Sequence, residues 1–406
     1  MPEAAAPLFP VDPGLALAND PDAASDDYVR DAAAAFCDTR PYAQLPYSKR
    51  NWGGRLHSLC SYQGKLKPSI AHFLVSWFTE PTQVVLDPMS GVGTIPLEAR
   101  LQGRSALAGD LSELAVTVSR SKVEQVDTAS ATAVLSDLTD YFHDNAAVSN
   151  ESLIVEEEAE FGLNGQIVEY FQTDTMREVL LARRFFANEV DRDSPDVAMV
   201  ATAMLHVLHG NRPYALSRRS HPITPLKPTG EPEYRSVLRH LETRLDQTLP
   251  LLTELGNPGG VFRSDFAGLP IEPGSVDAVM TSPPFTESLR FFSSNWMRLW
   301  FCGWPASAFR ETSSTFLERE QKIDFDAAYR RFLASMHEVL KPGGLLVMHV
   351  GATRGLDMAA RIVPLLAPRF ALIYEGVEHL DGPESHGLSD KGATTRHGFL
   401  FCRALK

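Results

Sequence analysis

Cysteine is scarce: Cys37, Cys60, Cys302 and Cys402 are the four in 406 residues, and no two form a Cys-x-x-Cys pair. Neither a disulfide framework nor a zinc knuckle is expected, and a reducing cytoplasm suits the chain. Apolar runs are short as well. None approaches the roughly 20 residues that a bilayer-spanning helix needs, and no basic-then-apolar leader opens the sequence, so membrane and secretory readings fall away. Positive charge is the third shortage, with 38 Lys and Arg against 51 Asp and Glu, a formal net charge of −13. Nucleic-acid binders usually show a basic surface, so bulk charge favours a small-molecule or protein substrate unless local basic stretches reverse it. No internal repeat is visible. Residues 1–30 are rich in Ala, Pro and Asp with little periodicity, and a mobile tail is expected over 1–40.

What is present is a sizeable apolar fraction, 44%, and an alternation of short apolar runs with helical patterns. Val84-Val85-Leu86-Asp87 reads as a buried strand ending in an acid, followed by Pro88-Met89-Ser90-Gly91-Val92-Gly93-Thr94 and a helical pattern to Leu101. Glycines in such a turn let the backbone approach a ligand closely; Thr94 is expected to cap the helix, with Pro96 in its first turn. A dinucleotide site would require a third glycine where Pro96 stands. A second strand, Ser105 to Gly109, ends in Asp110, and a third, Val261 to Ser264, leads to Asp265. One acid at a strand end is usually a helix cap; acids after successive strands favour a ligand.

A fourth strand, Val276 to Met280, runs into Thr281-Ser282-Pro283-Pro284-Phe285. Two prolines fix φ and remove two donors, so pairing stops and a rigid turn faces outward. It offers a hydroxyl at Ser282, carbonyls at Ser282 and Pro283, and the ring of Phe285. Together these suit a planar group bearing an amine, whose hydrogens meet the oxygens while its ring stacks on the aromatic. Taken alone, the same residues also read as a proline-terminated strand followed by a core phenylalanine.

The spacing Asp-x-x-x-Gly-x-Gly resembles the S-adenosylmethionine loop of Rossmann-like methyltransferases. With Ser282-Pro283-Pro284-Phe285, the chain resembles the amino-group methyltransferases, which methylate cytosine N4 or adenine N6 in DNA. The likeness covers roughly 55–125 and 258–406. The S-P-P-F tetrapeptide is similar to the S-P-P-Y of cytosine-N4 enzymes rather than the D-P-P-Y common in adenine-N6 enzymes, with Phe keeping the stacking face and losing a hydroxyl. Ser61 to Pro68 looks like the family's aromatic-glycine-proline segment, here Tyr62, Gly64 and Pro68, which closes over the methionine part of the cofactor. The resemblance implies S-adenosylmethionine held by the loop of Asp87, Pro88, Ser90, Gly91, Gly93 and Thr94 together with Thr281. It also implies Asp110 on the ribose and Asp265 near the adenine amine. Duplex DNA with a flipped-out base is the implied partner, and a cognate restriction enzyme is left open. No cysteine stands in a proline-cysteine context, which argues against carbon-5 methylation. The implied fold is α/β, a Rossmann-like methyltransferase domain over 41–125 and 258–406 with a seven-stranded mixed sheet, and a helical insertion over 126–257 concerned with the target. An RNA base or a small-molecule amine remains the alternative substrate, which the acidic charge fits more comfortably.

Local basic stretches exist. Residues 41–67 interleave Tyr42, Tyr47, Trp52 and Tyr62 with Lys49, Arg50, Arg55, His57, Lys65 and Lys67, a mixture that grips phosphates and stacks bases or packs as a loop on the core. Within the insertion, helices are expected at 129–146, 164–171, 174–190, 195–209 and 233–255. Between the last two, Arg212, Arg218, Arg219 and His221 form an arginine-rich, proline-broken loop, expected to contact substrate. Leu289–Trp304 is strongly aromatic, and Lys341-Pro342-Gly343-Gly344 is expected as a turn before a buried strand. The loop Ser385–His397, with Lys391, Arg396 and two histidines, is expected to line the target channel.

Overall fold

The computed structural model describes residues 25–49, 51–62, 64–285, 290–309, 316–353, 355–379 and 394–406. Arg50, Gln63, Lys391 and most of the 385–397 loop lie outside them. Seven strands form one sheet in the order β3-β2-β1-β4-β5-β7-β6. They are β1 Val84–Asp87, β2 Ser105–Asp110, β3 Gly260–Arg263, β4 Val276–Thr281, β5 Leu340–Thr353, β6 Phe370–His379 and β7 Thr394–Ala404. The first five are parallel and β7 runs antiparallel between β5 and β6, the mixed sheet expected. β1 and β4 are neighbours, with Leu86 beside Val279, so the glycine turn after one strand and the proline turn after the other emerge side by side. That is where ligands bind in open α/β sheets, beyond the carboxyl ends of the strands.

The helices are α1 Asp26–Thr39, α2 Gly54–Ser58, α3 Pro68–Phe78, α4 Thr94–Leu101, α5 Glu113–Val123, α6 Thr128–Asp144, α7 Asn150–Glu156, α8 Thr173–Asn188, α9 Pro195–Leu208, α10 Val237–Thr248, α11 Arg290–Phe301, α12 Leu317–Ile323, α13 Phe325–Val339 and α14 Met358–Ile362. Three expectations change. Residues 26–39 are helix rather than tail: Ser25 caps Tyr28, Asp26 and Asp27 occupy the first turn, and Val29, Ala32, Ala33 and Phe36 are buried. That i, i+3, i+4, i+7 stripe is the reason the segment folds. Segment 164–171 is a single 3₁₀ turn at Ile167–Tyr170. The Lys341–Gly344 segment is drawn into β5, where Leu340 pairs with Val276 before an irregularity in the ladder.

Phe36 shows how much α1 matters to the sheet. Fully buried, it meets Phe399 at 5.2 Å edge-on, Tyr42 at 5.3 Å and Trp77 at 6.1 Å. Phe36→Ala is expected to cost ~3–5 kcal/mol, read as a lower urea midpoint; an unchanged midpoint would show that α1 packs elsewhere.

The helices of the insertion, α6 to α10, do not form a core of their own. Buried Leu138, Val179, Phe185, Met199, Met204 and Leu241 join Leu114 and Val118 of α5 and Trp296, Leu299 and Trp300 of α11 in one cluster. Polar ties cross the same boundary: Trp300 Nε1 donates to the Glu157 carbonyl at 2.8 Å, Arg183 Nε to the Trp300 carbonyl at 2.9 Å, and Arg298 Nε to the Leu205 carbonyl at 3.1 Å.

Candidate active site

Asp87 ends β1 almost fully buried. Its Oδ1 accepts from Thr281 Oγ1 at 2.8 Å and from the Met89 amide at 3.2 Å. One carboxylate thus joins the glycine turn to the proline turn. Burial pushes its pKa up to about 7, with the hydrogen bonds opposing and the Asp110 charge adding to the rise.

The glycine turn is braced from three sides. Gly91 N donates to Asp110 Oδ2 at 3.0 Å; Ser119 Oγ of α5 donates to the Gly91 carbonyl at 2.9 Å; the fully buried Lys122 ammonium donates to the Val92 carbonyl at 2.9 Å. Burial lowers Lys122 to about 7 and raises Asp110 to about 6. Ser90 donates its amide to the Gly109 carbonyl at 2.9 Å, and Pro88 is buried beneath the turn. Gly93 adopts φ +72° with Ser119 Cα only 3.2 Å from where a Cβ would stand, so no side chain fits there. Gly93, not Thr94, occupies the cap of α4, with no side-chain cap hydrogen bond; Thr94 is the buried first helical residue.

Tyr62 lies over this turn, its hydroxyl 2.6 Å from the position of a Gly91 Cβ, and its ring meets Phe291 of α11 at 5.2 Å. Pro68 opens α3, whereas Gly64 is exposed at φ +88° with open space around it. Asp265 stands beyond β3, but its carboxylate is engaged by Arg331 of α13 at 2.5 and 3.2 Å and caps the Ala267 amide at 2.8 Å.

In the second turn Thr281 and Pro283 are buried, and Ser282, Pro284 and Phe285 are partly exposed. Ser282 Oγ lies 3.1 Å from His349 Nδ1 of β5, and the Pro284 carbonyl accepts from Gln321 Nε2 of α12 at 3.1 Å. Phe285 packs on Gly351, where a Cβ would come within 2.6 Å of its ring.

The basic candidates behave differently. Arg212 pairs with Glu233 at 3.3 Å, Arg218 donates to the Glu169 carbonyl at 3.0 Å and to that of Gly230, and Arg396 is ion-paired to Asp357. Arg396 adjoins His397 in β7 and so points to the other face of the sheet. Arg219 is exposed. His221 is folded into its own loop: its Nδ1 accepts from the Thr224 amide at 3.0 Å and its carbonyl meets His209 Nε2 at 2.7 Å. The 211–227 segment reaches α11 through Thr224 and Ser294, 3.4 Å apart, and through Trp296 Nε1, which donates to the Pro225 carbonyl at 3.1 Å.

Two groups that sequence reasoning left without a role stand against the proline turn, His349 and Gln321. His349 was visible as the polar residue in the apolar run Leu345–Val350; Gln321 gave no signal.

Residues 55–163 match the model of the family described as UPF0020, RMKL-like, methyltransferase domain. The chain carries a methyltransferase domain. Its match takes in Tyr62, the glycine turn and Asp110, and with the Rossmann-like sheet it makes S-adenosylmethionine the cofactor. The site fits that group: Gly91 and Gly93, both at positive φ, keep the turn free of side chains, and the carboxylates of Asp87 and Asp110 stand at its edge. No curated protein matches the chain. Solved structures that resemble it include TrmN from Thermus thermophilus, 14% identical with a TM-score of 0.36, covering 86% of this chain and 52% of that one. This chain thus spans about half of that structure's length. Others are an S-adenosylmethionine-dependent methyltransferase from Methanosarcina mazei (11% identity, TM-score 0.33, 80% and 94% covered) and the rRNA methyltransferase AviRa from Streptomyces viridochromogenes (12%, 0.30, 84% and 88%).

Proposed function

We propose that this methyltransferase acts on an exocyclic amino group of a nucleobase, held against Ser282–Phe285, and that cytosine N4 in DNA is the target. The observation that carries this reading is the Thr281–Asp87 hydrogen bond of 2.8 Å, which holds the S-P-P-F turn beside the cofactor loop. The cofactor supplies an electrophilic methyl group on its sulfonium. Phe285 stacks on the flipped base, and Ser282 Oγ and the Pro283 carbonyl accept the two amine hydrogens, aiming the nitrogen lone pair at the methyl carbon. The N–C bond forms as the S–C bond breaks, and the extra proton on nitrogen then leaves. No cysteine nucleophile is involved, because the amine attacks directly.

An RNA base is the second reading, favoured by the net charge of −13 and by the occupation of Arg212, Arg218 and Arg396 by their own chain. Those three arginines are then not free to meet the phosphates of a duplex. Labelled methyl transfer to unmethylated genomic DNA and to total RNA, followed by digestion to nucleosides, decides between them. N4-methylcytosine in DNA supports the first reading, label confined to RNA the second. Cofactor binding without transfer to either rejects a nucleobase substrate and leaves the small-molecule amine.

A further inference from the structure

His349 sits in the middle of β5, 4% exposed, with both ring nitrogens in use. Nδ1 lies 3.1 Å from Ser282 Oγ, and Nε2 lies 2.7 Å from Nδ1 of His397 on β7, which is partly exposed. The imidazole rings lie 4.8 Å apart at 28°. Phe285 leans on both, 5.7 Å from each, in the space Gly351 leaves open. Besides Ser282 and His397, the charged group facing His349 is Lys67, just before α3; burial foremost, then His397 and Lys67, holds His349 well below the ordinary histidine range.

A neutral imidazole has one N–H, so its two hydrogen bonds are locked in direction. When Ser282 donates to Nδ1, Nε2–H must donate to His397, and both lone pairs of Ser282 Oγ face the site as acceptors for an amine. In the opposite tautomer Nδ1–H points at Ser282 and takes one of those lone pairs.

We propose that His349 is the positioning residue that sets Ser282 as a hydrogen-bond acceptor, and that Ser282, His349 and His397 carry the substrate proton away from the reacting amine. The proposal rests on the nucleobase-amine reading and extends it. After methyl transfer the amine nitrogen carries one proton too many. That proton passes to Ser282 Oγ while the serine's own proton moves to His349 Nδ1; Nε2–H moves to His397 Nδ1, and His397 releases its Nε2 proton to water. One proton enters at Oγ and one leaves at His397. The charge balances, because the sulfonium has become a neutral thioether.

The test is single-turnover methyl transfer by wild type, His349→Gln and His397→Gln, with cofactor affinity measured in parallel by calorimetry. His349→Gln, which keeps a hydrogen bond but cannot shuttle, is expected to slow transfer about 10²-fold with cofactor Kd unchanged, and His397→Gln about tenfold. Added to Ser282→Ala, His349→Gln should cost nothing further, since the residues act as a unit. A rate within about twofold of wild type for His349→Gln overturns the proposal. Nitrogen-15 NMR of the histidine rings decides the matter without any nucleic acid. His349 is expected in the Nε2–H tautomer, and Ser282→Ala should redistribute it; a ring indifferent to that substitution sinks the relay. A wild type that transfers to no nucleic acid rejects the substrate reading, while the ring spectra still judge the coupling.

Discussion

Ser282→Ala is expected to lower the rate of methyl transfer about 10³-fold, near the upper range for losing one preorganised hydrogen-bond partner of a reacting group. The fall should lie in kcat rather than KM, because the amine hydrogen bond gains strength only as positive charge develops on nitrogen. Ser282 is partly exposed and at the end of its strand, so folding should survive, which an unchanged urea midpoint would confirm. Ser282→Ala with full activity would falsify the role given to this hydroxyl.

Asp87→Asn is expected to change stability strongly, and in a pH-dependent direction. The folded pKa of Asp87 is raised from 3.8 to about 7 by burial, so the native state holds a proton the unfolded chain has lost. That contribution is fully present below the ordinary carboxylate range and disappears as pH rises through about 7. The shift corresponds to an upper figure of about 4 kcal/mol at about pH 8. Asparagine keeps an Oδ1 for Thr281 and Met89 and carries no charge. The variant should therefore exceed wild type by a few kcal/mol at about pH 8, by roughly 2 kcal/mol at about pH 5, and match it only at about pH 3, below the unfolded carboxylate range. Denaturant midpoints at about pH 8 and about pH 3 decide it; an equal difference at both would mean that the carboxylate is charged and tolerated throughout. The cofactor's positive charge would recover some of this deficit, which makes Asp87 a case of stability given up beside a binding loop.

Much of the fold was legible because period and punctuation agreed. Val84–Asp87 and Val276–Thr281 are apolar runs stopped by glycine or proline chemistry, and both stand where the pattern put them. The helix at 26–39 was hidden by composition. Alanine and aspartate resemble a solvated tail, although Val29, Ala33 and Phe36 already carried helical spacing. In the site, the glycine loop and the proline turn could be read from backbone requirements alone. His349 and Gln321 could not be assigned, since what they do depends on strands and helices brought together across the sheet. The arginines of 212–219 were legible as charge but not as partners: charge in a sequence says nothing of whether a neighbouring carbonyl or carboxylate has already claimed it.

The core that helices α6 to α10 share with α5 and α11 bears on how such a chain can vary. Trp296 and Trp300, on the helix that follows the proline turn, are sealed by Pro225 and Glu157 from the other side of that boundary. A block joined this way is a keystone rather than an exchangeable attachment. Replacing it with a foreign block would strip the cover from α11 and loosen the ground on which the proline turn stands.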